Sequence, residues 1–244
     1  MHEIQKTKAV VLKKIDFGDT SKIATLFTEN FGKKSFIVKG ARSPKSKIGK
    51  LIDPLNHVEV VFYNKENRDV QLITQANLIS NFTNTKENLE KIKFATAVIE
   101  LINSIFHEEY KNELIYRGTV KILELINSGE DEPIFYFSKY FLFFLKEIGY
   151  EIQTSNCSRC SSKIEAVNLS FNFETGIICK ECSNETLNST KLSTELFKII
   201  LCLSHRNKSI TYTNKDLNSI LFLLEKYLTY HVPEFSGLKS LHMY

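Results

Sequence analysis

Four cysteines constrain this 244-residue chain more than any other feature. Cys157 and Cys160 are separated by two residues, 18 residues follow, and Cys179 and Cys182 repeat the short spacing. The pattern C-x2-C-x18-C-x2-C is that of a tetrahedral zinc site, in which each short knuckle offers two thiolates and the chain between must double back to join the pairs. "NLSFNFETGIIC" (168–179) suits that return as a hairpin, with Gly176 at the turn. Four thiolates leave no coordination position open for water, so the expected Zn2+ is structural, one per chain, and not catalytic. Reduced, metal-free cysteines or a redox role are the competing readings, but packing alone rarely produces such spacing. The fifth cysteine, Cys202, lies in the apolar run "FKIILCL" and reads as core.

Around this segment the hydrophobic period changes once. "TKAVVLKKI" (7–15), "SKIATLFTE" (21–29), "KKSFIVKG" (33–40), "LNHVEVVFY" (55–63) and "DVQLITQANLI" (69–79) are rich in Val, Ile, Thr and Phe, with turn-like breaks at "DFGDT", "NFG" and the charged tip "NKENRD". Five short strands, one interrupted by a long loop, fit a small closed barrel of the OB type. Beyond the polar stretch "SNFTNTKEN" (80–88), apolar residues recur at helical spacing, with Asn84 and Glu87 as a candidate helix start. Helices are expected over about 89–106, 110–127, 134–149, 192–205 and 214–231, the third apolar nearly all round and hence central. The expected class is therefore α+β: an OB-fold domain at 1–82 and a helical domain at 83–244, with the zinc insertion at about 155–188.

Charge is distributed as unevenly as period. The net charge is +4, yet residues 1–83 hold 14 Lys/Arg against 8 Asp/Glu, and the remainder hold 18 against 20. Within "KKSFIVKGARSPKSKIGK" (33–50) there are seven basic residues, Lys33, Lys34, Lys39, Arg42, Lys45, Lys47 and Lys50, and no acidic one. A solvated face is the plain reading of a charge run. An unneutralised run in a barrel type that often binds nucleic acid favours a polyanion instead. The chain has no tryptophan, and Phe31 and Phe36, the nearby aromatic residues, read as core. Strong charge with few stacking groups predicts binding to phosphate with little regard for sequence, on single strands and duplex alike.

Other chemistries find little support. Gly40 and Gly49-Lys50 superficially suggest a phosphate loop, but eight residues separate the glycines and Leu51 stands where a metal-binding hydroxyl is needed. No GxGxxG, HExxH or GxSxG occurs. His231 extends the stripe Leu217, Ile220, Leu221, Leu224, Leu228 and reads as a hydrogen-bonded helix-end histidine; Glu108-Glu109 and Glu130-Asp131-Glu132 read as surface. The run "IFYFSKYFLFFL" (134–145) is too short to span a bilayer, and no secretory signal is visible, so a soluble, intracellular protein without a membrane partner is expected.

With these residues in place, "TKAVVLKKIDFGDTSKIATLFTENFGKKSFIVKGARSPKSKIGKLIDPLNHVEVVFY", and "KGARSPKSKIGKL" above all, resembles the N-terminal OB domain of the bacterial RecO recombination-repair proteins. The later order of helices, inserted cysteines and a final helix ending near "LKSL" is similar too. The resemblance implies a non-enzymatic DNA-repair mediator in the bacterial cytoplasm, associated with the nucleoid. It would bind single- and double-stranded DNA and anneal complementary strands. With RecR it would help RecA onto strands coated by single-strand-binding protein. Lys39, Arg42, Lys45, Lys47 and Lys50 match the family's DNA-facing segment, with Lys13 and Lys14 as weaker additions. Cys157, Cys160, Cys179 and Cys182 match its zinc-bearing members, some relatives having lost them. Arg117 and Lys121 are candidates for the partner's acidic tail, although a solvated helix face explains them as well. An RNA-binding or transcription-associated protein with an OB barrel and zinc ribbon is the alternative.

Overall fold

A computed structural model describes residues 3–65, 68–184, 186, 188–204 and 210–242. The middle of the expected tip 64–69, two residues of the expected insertion (185 and 187) and the last residue of the expected helix 192–205 lie outside these.

Strands β1 (Glu3–Phe17), β2 (Ser21–Thr28) and β3 (Gly32–Val38) form an antiparallel meander. A short helix, α1 (Lys47–Leu51), follows, then β4 (His57–Asn64) and β5 (Val70–Ser80). The sheet closes in the order β1-β2-β3-β5-β4, with β3 and β5 parallel and β4 returning to β1. This is the five-stranded barrel that the sequence leads one to expect. Its interior takes alternate residues from each strand, among them Ala9, Val11, Ala24, Leu26, Phe36, Val60 and Phe62, all fully buried. Phe36 and Phe31 both pack edge-on against Phe62, at 5.1 and 5.3 Å between ring centres, so both belong to the core as expected. Truncating a fully buried Phe of this kind to Ala costs roughly 3–5 kcal/mol.

One irregularity decides which way the end of β1 faces. The register between β1 and β2 shifts at Leu12: Val11 pairs with Leu26, but Lys13 pairs with Thr25. Strict alternation from Ala9 and Val11 would carry Lys13, Ile15 and Phe17 into the barrel. The bulge reverses the parity and puts them on the outer face.

Helices α2 (Thr83–Lys86), α3 (Leu89–Ile105) and α4 (Glu113–Ser128) follow the barrel. The expected start at Asn84 is displaced: α3 is capped by Asn88, whose side chain accepts from the Lys91 amide, and α2 is a separate single turn. The end of α3 and the flank of α4 lie on the outer face of the barrel. Phe106 stacks on Phe27 at 5.8 Å, Tyr116 tilts against it at 5.9 Å, and the Glu109 amide donates to the Lys33 carbonyl. Gly32, with φ +67°, allows this approach, since a Cβ there would lie 2.2 Å from the Tyr110 carbonyl oxygen.

By contacts the chain forms two compact units, Met1–Gly129 with Ser240–Tyr244, and Glu130–Lys239. In the second unit, α5 (Pro133–Glu147) is buried on most of its surface by α7 (Thr194–Ser204) and α8 (Asn214–His231), as expected of a central helix. Between α5 and α7 lies the cysteine segment: β6 (Leu169–Asn172), β7 (Gly176–Ile178), the single turn α6 (Lys180–Ser183) and β8 (Ser189–Leu192), with sheet order β7-β6-β8. β6 and β7 are the expected hairpin; β8 ends at Leu192, where the sequence places the start of the next helix. Cys202 is buried, as expected. His231 corrects its reading: its Nε2 is buried without a hydrogen-bond partner among the described residues, and the ring packs among Tyr150, Tyr227 and Tyr230.

A buried histidine also joins the helices to the barrel. His57 on β4 lies 3.0 Å from the Tyr116 hydroxyl. Burial, with Lys8 nearby, pushes its pKa down to about 4 from 6.5. The unfolded chain therefore takes up this proton first as pH falls, so stability is intact above pH 6.5 and is lost between 6.5 and 4. The full shift is worth about 3 kcal/mol. Urea unfolding of the wild type should lose more stability over that window than His57→Asn does. Equal losses in the two proteins would show that His57 does not titrate this way.

Candidate nucleic-acid interface and metal centre

The loop from β3 to β4 must cross one end of the barrel, and it does so as a fixed structure. The Ser43 amide donates to the Gly40 carbonyl, Ser46 to that of Ser43, and the Ser46 hydroxyl caps α1 by accepting from the Gly49 amide at 3.1 Å. Ala41, Ile48, Leu51 and Ile52 turn inward and close the end of the core. Gly49 has to be glycine: a Cβ would lie 2.3 Å from the Ala41 carbonyl oxygen. With the apolar side seated, Lys45, Lys47 and Lys50 stand outward and exposed, as does Lys39 at the end of β3. Two of these lysines therefore stand on or beside a helical turn where the sequence suggests plain loop. Among the described residues no ion pair involves these four or exposed Lys13.

The other basic candidates are held by the protein itself. Lys33 donates to the Asn103 and Phe106 carbonyls at 2.7 and 2.6 Å, closing the end of α3. Burial, then repulsion from Lys13, lowers its pKa. Lys34 has interior parity opposite Leu26, is buried, and pairs with Glu109 at 2.7 Å. Neither is a free cation for phosphate, because β3 carries them beneath the α3–α4 connection. Lys14 pairs with Asp53 beside a groove of about 640 Å³ between β1 and α3.

Arg42 is placed differently from the loop lysines. Its guanidinium donates to the Gly18 carbonyl at 2.7 Å and lies 3.5 Å from Asp16, while its amide donates to the Thr20 carbonyl. It latches the basic loop onto the β1–β2 turn while its side chain stays partly exposed. That turn follows exposed Phe17, an aromatic residue that the sequence reading left in the break "DFGDT" and that the structure places at the end of β1. Arg117 and Lys121 are exposed on α4 and pair with Glu113 and Glu124, as a solvated face would.

The four paired cysteines converge. Their sulfurs all lie within 4.8 Å of one another, with Cys160 and Cys179 Sγ at 3.8 Å. An ion ~2.3 Å from each of four tetrahedral sulfurs spaces them ~3.8 Å apart, so the cluster can hold a metal ion. Local hydrogen bonds shape the first knuckle: the Cys157 amide donates to the Ser162 carbonyl, Ser161 to that of Cys157, and the Cys179 amide to Cys157 Sγ. The Ser162 hydroxyl and backbone draw Cys160 down to about 6, whereas burial, with the neighbouring thiols, pushes Cys182 up to about 12. Thiols ligate as thiolates, so an ion binding here would release their remaining protons. Among the described residues, Ile164 and Ile178 pack with the cysteines in a small apolar cluster.

A family model described as Recombination protein O N terminal matches residues 1–82, and one described as Recombination protein O C terminal matches residues 86–242. The chain belongs to the RecO family. It is 33% identical over 201 residues to the DNA repair protein RecO of Caldanaerobacter subterraneus subsp. tengcongensis, covering 81% of this chain and 79% of that one. Similarity to the RecO of Chloroherpeton thalassium is lower, 25% over 249 residues, but takes in 97% and 96%. With the RecO of Salinibacter ruber identity is 37% over 127 residues, about half of each chain. No helix among the described residues is long and apolar enough to cross a membrane.

Elemental analysis of purified protein should return about one metal ion per chain. Cys160→Ser combined with Cys179→Ser should abolish it and lower the melting temperature. Stoichiometric metal persisting in the double variant would place the ion elsewhere.

Proposed function

We propose that this RecO-family chain is a non-enzymatic DNA-binding mediator of recombinational repair in the bacterial cytoplasm. Residues 1–82 are the DNA-binding domain, and residues 83–244 are the helical domain with the metal-binding insertion. The observation that carries the reading is the set Lys39, Lys45, Lys47 and Lys50: exposed, without ion pairs among the described residues, and held by a loop that hydrogen bonds and buried apolar residues fix in place. Lys13 is exposed on the outer face of the same sheet. Five such cations bind phosphate on either single or double strands, because the backbone is common to both. Holding two strands while their charges are neutralised promotes annealing without nucleotide hydrolysis. RecR, single-strand-binding protein and, through them, RecA are the partners that family membership suggests. The ion in the cysteine cluster is structural zinc: four thiolates suit a soft, tetrahedral ion and leave no position for substrate.

If all five lysines engage, log affinity against log salt should fall with a slope of roughly −3.5 on single strands and −4.5 on duplex. Replacing Lys45, Lys47 and Lys50 with Ala should flatten the single-strand slope by about 2. Changing exposed Lys139, Lys198 and Lys215 to Ala removes equal charge from the second unit and should leave the slope nearly unchanged. Equal losses from both triples would reduce the loop to a solvated face. Annealing of complementary strands should proceed without ATP and slow as salt rises, and strong preference for RNA over DNA would favour a different role.

A further inference from the structure

The outer face of the β1–β2–β3 sheet is covered at one end and bare at the other. Cross-strand neighbours Val10, Phe27 and Lys33 lie under Phe106, Tyr116 and the end of α3. Further along the strands, Lys13, Thr25 and Ser35 form the next row, where the Ser35 hydroxyl donates to Glu108 and the covering layer stops. Beyond it, Ile15 pairs with Ile23 and Ile23 with Ile37, with Phe17 at the end of β1. Ile23 and Ile37 are half-buried, while Ile15 is 56% and Phe17 51% exposed. The bulge at Leu12 makes this surface, since without it Ile15 and Phe17 would face the barrel interior.

We propose that this apolar row is a seat for unpaired nucleobases, with a base stacked on the Phe17 ring and its neighbours lying over the isoleucines. The inference rests on the DNA-binding reading above and adds a contact that duplex cannot make. Charge identifies the occupant. Lys13 lies one row away, and Arg42 ties the loop bearing Lys45, Lys47 and Lys50 to the turn just after Phe17. An apolar strip bordered by unpaired cations fits a ligand with flat apolar faces on an anionic backbone, which describes a DNA single strand. In a duplex the base faces are stacked on each other, so only the lysines have something to hold.

The chain contains no tryptophan, so Phe17→Trp introduces a single fluorescent reporter at this position. Its emission should be quenched by an oligothymidylate but not by an abasic oligonucleotide of equal charge. Phe17→Ala should bind oligothymidylate about tenfold more weakly than wild type. It should keep the wild-type salt slope, and its affinities for duplex and for the abasic strand should stay within twofold of wild type. Phe17→Tyr should restore binding. Loss of affinity for all three ligands, or for none, would overturn the proposal. So would a wild-type dimer, detected by sedimentation, that Phe17→Ala dissociates, because the strip would then be a contact with a second copy. If wild type binds no DNA at low salt, the DNA-binding reading itself fails. If wild type binds with the expected slope but Phe17→Ala matches it on oligothymidylate, only the base seat fails.

Discussion

A single strand with two partners holds the N-terminal architecture together. β1 pairs with β4 from Glu3 to Val10 and with β2 from Ala9 to Phe17, and it overlaps both at Ala9 and Val10. That overlap closes the barrel and leaves neither β2 nor β4 with an open edge. Closure also dictates where chemistry can stand. Core positions alternate with outer ones, so charge belongs on the outer face and in the loops at the two ends; Lys34, at an interior position of β3, is buried and paired with Glu109. The β3–β4 connection must then both plug an end and meet solvent. It divides the tasks by residue, with Ala41, Ile48, Leu51 and Ile52 inward and Lys45, Lys47 and Lys50 outward.

What was legible in the sequence followed the range of each signal. The cysteine cluster is written in two short spacings, and a metal's geometry leaves the chain few ways to satisfy them. The barrel was legible because five strands with period two and the long third connection repeat a pattern that local residues specify. The start of α3 was less so, because Asn84 and Asn88 both have capping side chains and only packing chooses between them. Partners distant in sequence were invisible. Nothing near Lys34 announces Glu109, 75 residues on, nor do the residues around Arg42 announce Gly18. The bulge is the most consequential omission, since one extra residue at Leu12 inverts every side chain after it.

The barrel and the cysteine lobe are stabilised by different means. The barrel buries large side chains such as Phe36 and Phe62 completely, and the helices add Phe27 against Phe106 and Tyr116. The cysteine lobe has short strands and, among the described residues, a small apolar cluster around the cysteines, and small lobes of that kind gain from a staple. An ion held by the four thiolates would link folding to metal binding. It would add to the buried Leu169, Phe171 and Ile177 in fixing the hairpin. Phe171 at the base of β6 packs edge-on against Tyr227 of α8 at 5.7 Å, so order in the lobe is passed to the helical layer.

A basic run in sequence is not the same as a basic surface. Of the seven cations between positions 33 and 50, two are consumed in seating α3 and its following loop, and one latches the β1–β2 turn. In the proposed role, the four that remain would act through screened, long-range attraction, which weakens as salt rises and does not distinguish bases. The apolar strip beside them would act at short range and be insensitive to salt. A protein that anneals must capture strands quickly, yet leave their pairing edges free. On the proposed reading, lysines on phosphate would meet the first requirement, because attraction over a Debye length raises encounter rates. Stacking on Phe17 would meet the second, since it occupies a base's face and leaves its hydrogen-bonding edge open to a complement. Pairing would then restack the base within the new duplex, removing the short-range contact and leaving only the screened one. Release of the product would thereby be coupled to completion of the pair.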